Sequence, residues 1–377
     1  PISYTSIAIM SMKIFNSPQT RREFCHGSAS LLASSIMLTN SLRASSSSIS
    51  TIPLGFDNFS IRALGWKAPQ LLDFASSHKL DTILFSDLEV YESLNSSYLK
   101  EIKQEAQNRG IIIHTGTGGI CPTSKSFKDK HGTAEEHLRL LIRVAKEVGA
   151  RVARCYLGTL KDRQGEGGIQ NHITSTVQVL RKVKSVALNA DVKIAVENHA
   201  GDLHSRELVE LIERAGTEYV GATLDSGDAT WTLEDPIDTL RNLAPYAISS
   251  GIRDSMVWKS KRGVKVQWTA MGEGCTDLHT FISEWKRLCP SLPMQLEIIS
   301  GFAKEFPYLD PTFWPPYSTF LAEDFSRFLL ISQRGKEIKS FSSPDGVEKK
   351  GAQQKYQLSQ LEKSISFCKE KLSLGLQ

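Results

Sequence analysis

Three carboxylic acids stand at the ends of apolar runs that have the length of β-strands. Glu197, Asp225 and Glu297 each close such a run, far apart in the sequence. A carboxylate at the end of an apolar strand is costly to bury unless it is paired or ligates a metal. One such residue would suggest a solvated strand exit, but three in equivalent positions indicate a functional cluster.

A group of converging carboxylates is electrostatically unfavourable until a cation neutralises it. Oxygen-rich sites suit Mn²⁺ or Mg²⁺, and a nearby histidine extends the choice to Co²⁺ or Zn²⁺. A divalent metal can polarise the carbonyl and hydroxyl oxygens of a sugar-like substrate, and a carboxylate can then move a proton at the adjacent carbon. The three acids therefore predict metal-assisted proton transfer.

Two histidines are candidates for the same site. His199 lies two residues after Glu197, and because alternate residues of a strand share a face, both side chains are expected to point inward. His199 could thus ligate the metal or bind substrate. His114 ends an earlier apolar run, where it could bind substrate or serve as a hydrogen-bonded structural residue.

Basic and aromatic residues near the strand ends give further candidates. Arg154 lies inside an apolar run and needs an anionic partner, which could be the glutamate at 197 or a substrate oxyanion. Arg253 could orient substrate or pair with the carboxylates. Trp231, Trp258 and Trp268 lie in predicted loops, where they could form a platform for a sugar face or simply pack.

The elements that must position these residues follow a regular rhythm. Between residues 52 and 333, strand-like and helix-like segments alternate eight times. Eight such units in series predict an α/β fold with a closed (β/α)8 TIM barrel in a single domain. No Gly-x-Gly-x-x-Gly follows the first strand, which excludes a dinucleotide-binding fold. The charged segment 334–377 is expected to form a tail outside the barrel.

The first 51 residues do not continue this pattern. The pair Arg21-Arg22, Phe24 and a short apolar stretch at 27–38 occur in the order typical of a twin-arginine export signal, followed by a serine-rich linker. The apolar stretch is too short for a transmembrane helix. The sequence therefore predicts a periplasmic or otherwise exported protein. The alternative is a cytoplasmic protein whose N-terminal tail contains an arginine pair by chance.

Composition excludes some other classes. The formal net charge is +4, and basic residues alternate with acidic ones along the helical segments. This pattern indicates solvated helix faces rather than a nucleic-acid surface. The six cysteines include no Cys-x-x-Cys pair, so neither a zinc finger nor a thioredoxin-like motif is present. A disulfide is left open.

Five short motifs carry a resemblance to a known family. They are Val196-Glu197-Asn198-His199, Leu224-Asp225-Ser226-Gly227-Asp228, Ile252-Arg253-Asp254, Gly272-Glu273-Gly274 and Leu296-Glu297-Ile298. In this order they resemble the xylose isomerase-like TIM-barrel superfamily, the sugar phosphate isomerase/epimerase group, over about residues 52–333. In that family a Glu, an Asp, a His and a Glu bind one divalent metal. The resemblance implies that Glu197, Asp225 and Glu297 are ligands, with Glu197 and Glu297 as acid and base.

The chain departs from the family at the histidine ligand. The matching position is Gly251, and Asp228 stands where many members place another histidine. Three outcomes remain open. His199 or Asp228 completes the metal shell, water fills the position, or the barrel is metal-free.

The resemblance implies a divalent-metal-dependent sugar or keto-sugar isomerase or epimerase that acts through an enediolate-type intermediate. Alternatives on the same barrel are a keto-glycoside lyase or hydrolase and a metal-free carbohydrate-binding protein. An endonuclease-like phosphodiesterase is disfavoured, because few of the nine histidines stand at strand ends and no basic face is evident. The predicted partner is a small-molecule carbohydrate, with no nucleic acid and no stable membrane anchor. Assembly into a homo-oligomer is left open.

Overall fold

A ring of eight parallel strands forms the centre of the fold. In the computed structural model, residues 51–165 and 167–375 are described. The ring consists of β1 (Leu54–Asp57), β2 (Thr82–Phe85), β3 (Ile112–Gly119), β4 (Val152–Tyr156), β5 (Lys193–Glu197), β6 (Val220–Asp225), β7 (Ala247–Gly251) and β10 (Met294–Leu296). Nearly all of these strand residues are buried, as expected for parallel strands that helices cover.

The strands follow the chain order, with β10 pairing in parallel to β1. The remaining gap lies between β7 and β10, and Ile252 bridges it. Its N–H donates to the carbonyl of Gln295 at 2.7 Å, and its carbonyl accepts from the N–H of Glu297 at 3.0 Å. The eight-stranded α/β barrel predicted from the sequence is therefore confirmed.

Helices surround the ring. They are α1 (Ala68–Ser77), α2 (Ser96–Asn108), α3 (Ala134–Val148), α4 (Leu160–Arg163), α5 (Gly168–Ala190), α6 (Ser205–Ala215), α7 (Ser226–Trp231), α8 (Pro236–Leu243), α9 (Leu278–Leu288), α10 (Ala322–Arg334) and α11 (Lys349–Leu372). Helix α3 illustrates why they form. Thr133 and Glu136 make a capping box, Leu138, Leu141 and Ile142 are buried on one side, and Gly149 ends the helix with φ 76°.

A small antiparallel sheet covers part of the barrel mouth. The segment 254–273 contains β8 (Asp254–Lys259) and β9 (Val264–Thr269), which pair with each other, and β11 (Ala303–Phe306) adds to β9. Alternate residues of β9 are apolar, and they enter a second hydrophobic cluster with residues of β8, β11 and α10. Trp258 and Trp268 accordingly lie on strands rather than in loops.

The C-terminal segment also differs from the expectation of a tail outside the barrel. Helix α11 buries Leu361, Ile365, Cys368 and Leu372 in the main hydrophobic core. Their spacing of four, three and four residues places them on one helix face, and the many lysines and glutamates lie on the opposite face. This helix is therefore part of the folded unit.

No helix within the described ranges is long and apolar enough to cross a bilayer. The predicted twin-arginine signal lies outside the described residues, so export and the periplasmic location stay predictions. Five cysteines of the described part, Cys121, Cys155, Cys275, Cys289 and Cys368, are free thiols.

Candidate active site at the carboxyl end of the barrel

A cavity of about 360 Å³ opens where the barrel strands end. Its size falls within the usual range for small-molecule sites. Seven of the residues singled out from the sequence line it: Arg154, His199, Asp228, Trp231, Arg253, Trp268 and Glu297. The barrel therefore brings together side chains that are up to 143 residues apart in the chain (297 − 154).

The guanidinium of Arg253 lies at the centre of the acidic cluster. Its Nη2 donates to Asp225 Oδ2 and, at 2.8 Å, to Glu297 Oε2. The same nitrogen is 3.9 Å from Asp228 Oδ2. The Arg253 side chain is 1% exposed, so these charges interact away from bulk water, where charge-assisted hydrogen bonds are strong.

The surroundings of Arg253 are shaped for its side chain. A Cβ built on Gly227 would lie 2.7 Å from Arg253 Nε and closer still to its Cγ and Cδ. Trp268 stacks over the guanidinium, with the Cζ of Arg253 4.3 Å from the ring centroid. Ser226 Oγ donates to the Arg253 carbonyl at 2.7 Å and accepts from its N–H at 3.0 Å. The backbone, stem and head of this arginine are thus all held in place.

A second arginine pairs with the glutamate that closes β5. Arg154 Nε donates to Glu197 Oε2, and its Nη1 donates to the carbonyl of Thr117 at 3.2 Å. Glu197 is fully buried, and its Oε1 has no hydrogen-bond partner among the described residues. Asn198 fixes the neighbouring strand end, because its amide donates to the carbonyl of Asp225 and accepts from the N–H of Asp225. Arg154 therefore binds the carboxylate and also faces the cavity.

His199 lines the cavity but lies apart from the cluster of acids that could hold a metal. Its Nδ1–H donates to the carbonyl of Gly158 at 2.7 Å, and its ring stacks on Tyr156 with centroids 3.7 Å apart. Burial, together with the positive charge of Arg154, lowers the pKa of His199 to about 3. The imidazole is therefore neutral at physiological pH, with Nε2 as its remaining polar atom.

His114 lies inside the barrel and not among the residues that line the cavity. Its Nδ1 is 3.0 Å from Ser249 Oγ, which donates in turn to Gln295 Oε1 at 3.1 Å. Burial lowers the pKa of His114 to about 4. These contacts favour the structural alternative over substrate binding for this histidine.

Aromatic rings form one wall of the cavity. Trp231 and Trp268 stack with centroids 4.2 Å apart, and Phe302 meets both edge-on. Lys304 Nζ lies 4.2 Å from the Trp231 centroid. Trp258 is buried on β8 and does not line the cavity. Phe302 is 41% exposed, so the wall offers an accessible apolar face beside the charged cluster.

The described residues do not assemble the four-ligand metal set that the resemblance implies. Gly251 supplies no ligand, and Arg253 already bridges Asp225 and Glu297. One acidic trio, Glu197, Asp225 and Asp228, has ligand atoms within 4.8 Å of one another.

Several carboxylate oxygens of this trio already accept hydrogen bonds, which limits their ability to bind a metal ion. Asp225 uses Oδ2 for Arg253 and Oδ1 for the N–H of Asp228 at 2.8 Å. Glu197 Oε2 is taken by Arg154. That leaves Glu197 Oε1 and Asp228 Oδ1 without partners among the described residues. Two free oxygens beside two guanidinium groups do not fit a divalent ion, which needs at least four to six ligands.

The residues that sequence reasoning missed at the site include Asp57 and Tyr156. Asp57 closes β1 and is buried, and burial, reinforced by the charge of Glu297, raises its pKa well above the usual range. Tyr156 closes β4 and stacks on His199. Asp57 repeats the pattern of a carboxylate after an apolar run, so the same signal could have found it. Tyr156 carries no such signal, because aromatic residues are common in strands.

Comparisons with known proteins agree with this architecture. YihM of Escherichia coli (strain K12), described as an uncharacterized protein, is 22% identical over 260 residues, 66% of this chain and 73% of that protein. Among solved structures, the IOLI protein with a binding zinc atom is 16% identical, with a TM-score of 0.52 over 76% of this chain and 100% of that one.

A D-psicose 3-epimerase with D-tagatose, from Clostridium cellulolyticum H10, is 12% identical, with a TM-score of 0.51 over 83% of this chain and 98% of that one. At such identities the structures show a common fold and no more. The family described as "Xylose isomerase-like TIM barrel" matches residues 72–298. Because this match spans more than half of the 377 residues, the chain belongs to the xylose isomerase-like TIM barrel family.

Proposed function

We propose that this chain is an enzyme that isomerises or epimerises a small sugar or keto-sugar by proton transfer in the cavity. The observation that carries the proposal is the joint placement of acids and cations. Glu297 and Asp228 line the same cavity as Arg154 and Arg253. Carboxylates can take and return a proton, while guanidinium groups stabilise the negative charge that develops on the substrate oxygens.

The acids differ in how they suit proton transfer. Burial raises the pKa of Asp228 to about 7, close to the value at which a group can both accept and release a proton near neutral pH. Glu297 lines the cavity with one oxygen bound to Arg253. Glu197 has a free Oε1 behind the pair with Arg154. Glu197 and Glu297 remain the proposed acid and base, and Asp228 is a third candidate.

The unpaired polar atoms suit hydroxyl groups. Within the described residues, Arg253 Nε and Nη1 lack acceptors, and Asp228 Oδ1 and Glu197 Oε1 lack donors. A sugar hydroxyl both donates and accepts, so one group can satisfy an orphaned donor and an orphaned acceptor together. Phe302, which lines the cavity and is 41% exposed, provides an apolar surface for the C–H face of a sugar ring.

The neighbouring folds point to the same substrate class. The D-psicose 3-epimerase shares the barrel, and an epimerase needs the proton removal and return that two carboxylates can provide. This support is analogy at the level of the fold, which does not transfer chemistry by itself. The main support for the proposed function comes from the residues that line the cavity.

The experiment is solvent exchange. The protein is incubated in D₂O with a panel of aldoses, ketoses and keto-glycosides, and NMR follows deuterium incorporation beside the carbonyl and the appearance of new sugars. We expect exchange with at least one substrate and a loss of about 10²–10⁴-fold in Glu297→Gln, the usual range for general acid–base catalysis. Release of the aglycone without exchange into product would favour the lyase alternative.

The matched control is Glu273→Gln. Glu273 is exposed and pairs with Lys363 on the surface at 3.3 Å, so its substitution should leave the exchange rate unchanged. Absence of exchange, conversion and sugar binding across the panel would refute the proposed function. Equal rates for Glu297→Gln and Glu273→Gln would refute the role of Glu297.

A further inference from the structure

We propose that the guanidinium of Arg253 replaces a divalent metal at this site, so that the barrel acts without a metal ion. The catalytic part of this inference rests on the proposed function. The part that concerns the cation does not, because it can be measured without a substrate.

The position of Arg253 carries the argument. Its Nη2 contacts Asp225 and Glu297, two of the three ligands that the resemblance implies, and lies 3.9 Å from Asp228. A single nitrogen atom thus lies at the point where the carboxylates converge. A guanidinium matches carboxylate geometry and keeps its charge at any physiological pH.

The same position is closed to the missing histidine. A Cβ built on Gly251 would lie 2.8 Å from Glu297 Oε2 and 2.9 Å from Asp225 Oδ2. These are the two oxygens that Arg253 Nη2 binds. Any side chain at 251 would push the carboxylates off the guanidinium, so glycine at 251 and arginine at 253 form one arrangement.

The rest of the arrangement is specific to an arginine. Gly227 leaves the space that the Arg253 stem occupies, and Trp268 covers the guanidinium plane. Trp268 is itself held by the hydrogen bond from its Nε1 to the carbonyl of Gly227 at 2.9 Å. A side chain that had merely collapsed into an acidic site would not require a glycine beneath its stem and a stacked indole above its head.

The number of positive charges in the site also agrees with the replacement of a divalent ion. Arg154 binds Glu197 and Arg253 binds Asp225 and Glu297, so the two guanidinium groups provide the two positive charges that one divalent ion would bring. A divalent ion beside them would be repelled by both. The site therefore has its neutralising charge built into the chain.

The chemistry balances without a metal. A carboxylate takes the proton from the carbon beside the substrate carbonyl, and the electron pair moves onto the carbonyl oxygen. The positive charge of Arg253, which lines the cavity, can stabilise the enediolate oxygen. Return of the proton to the former carbonyl carbon, with the remaining hydroxyl proton passing from the second enediolate oxygen to the first, gives the isomer. Return of the proton to the opposite face of its original carbon gives the epimer. No oxidant or reductant is required.

The first test uses wild-type protein. Elemental analysis before and after dialysis against EDTA is followed by calorimetric titration with Mn²⁺, and by thermal unfolding with and without Mn²⁺. We expect substoichiometric metal, no binding heat and an unchanged Tm. Stoichiometric Mn²⁺ binding that is lost in Asp225→Asn would overturn the proposal.

The second test removes the charge. Arg253→Met keeps a long apolar stem but frees Asp225 and Glu297, so we expect this variant to gain Mn²⁺ binding and a rise in Tm of about 5 °C when Mn²⁺ is well above its Kd. Arg262→Met is the control, because Arg262 is exposed and its nearest acidic atoms are 3.9 and 4.0 Å away. An identical Mn²⁺ response in wild type and Arg253→Met would overturn the proposal.

A folding defect of Arg253→Met would not end the test. Arg253→Lys keeps one positive charge at the same place, and we expect it to fold and to remain as insensitive to Mn²⁺ and EDTA as wild type. If Arg253→Lys is as stable as wild type and nevertheless binds Mn²⁺, the proposal that the side chain at 253 replaces the metal is wrong. If the sugar panel fails while these metal results hold, the proposed function falls and the assignment of Arg253 stands.

Discussion

Gly227→Ala is the substitution that most directly tests how Arg253 is held. Gly227 lies in α7 and has no unusual backbone requirement, so alanine alone would favour the helix by up to about 1 kcal/mol. The added Cβ would overlap Cγ, Cδ and Nε of Arg253. These atoms belong to the stem of the side chain, and the guanidinium beyond them is fixed by Asp225 and Glu297.

The magnitude follows from what the arginine must give up. Disruption of a buried ion pair costs about 3–5 kcal/mol. After subtraction of the helix gain, we expect Gly227→Ala to lose about 2–4 kcal/mol of stability. Urea unfolding at pH 7, followed by circular dichroism, measures this loss. Gly351→Ala is the control, because the nearest atom to its new Cβ would be Glu348 Oε2 at an ordinary 3.4 Å.

The decisive measurement is the double-mutant cycle with Arg253→Ala. Arg253→Ala removes the three atoms that lie nearest to a Cβ at 227, so alanine there should then be neutral or stabilising. The two substitutions should therefore show a coupling energy of about 2 kcal/mol or more. If Gly227→Ala costs the same with and without Arg253, the overlap is not the cause and the reasoning is wrong.

Three further predictions concern other parts of the chain. Leu361→Ala in α11 should cost about 2–5 kcal/mol in urea unfolding, whereas Leu330→Ala, 55% exposed, should change stability by less than about 0.5 kcal/mol. The folded-state pKa of His114, about 4 against 6.5, means that the folded chain binds fewer protons, so stability falls as pH drops from 6.5 to 4. Between pH 6.5 and pH 4, His114→Gln should therefore lose about 3 kcal/mol less of its free energy of unfolding than wild type. If the urea midpoint of the variant depends on pH as in wild type, the prediction is wrong. Trp231→Ala should weaken sugar binding about fivefold in calorimetry, and unaltered affinity would remove Trp231 from the site.

The barrel could be predicted because its signal is long and repeated. Eight apolar runs of strand length alternate with amphipathic helices, and each run that ends in an acid adds to the same cluster. Glu297 and Asp228 line the cavity, and Glu197 and Asp225 lie directly behind them, because parallel strands carry their last residues to one face.

The parts that could not be predicted depend on side-chain direction and on mixed composition. The sequence places Arg253 near the acids, but whether it binds substrate or carboxylates depends on the space left by Gly227 and Gly251. Strand β9 alternates Val264, Val266 and Trp268 with polar residues, and the neighbouring basic turn obscured this period-two pattern. The many charged residues of α11 made the segment look solvent-exposed, although its apolar residues recur at helical spacing.

Helix α11 sets a condition on when the barrel can close during synthesis. The N–H of Ala63 donates to the Gln357 side chain, 294 residues further along, and the N–H of Gly375 donates to the carbonyl of Ile52. A nascent chain that grows by 5–20 residues per second must therefore wait about 15–60 s between making β1 and covering it. Throughout that interval the apolar surface that α11 covers in the folded chain stays exposed, and such surface on a partly folded chain favours aggregation. A frameshift at the start of α11 would leave every strand of the barrel intact and its seam uncovered.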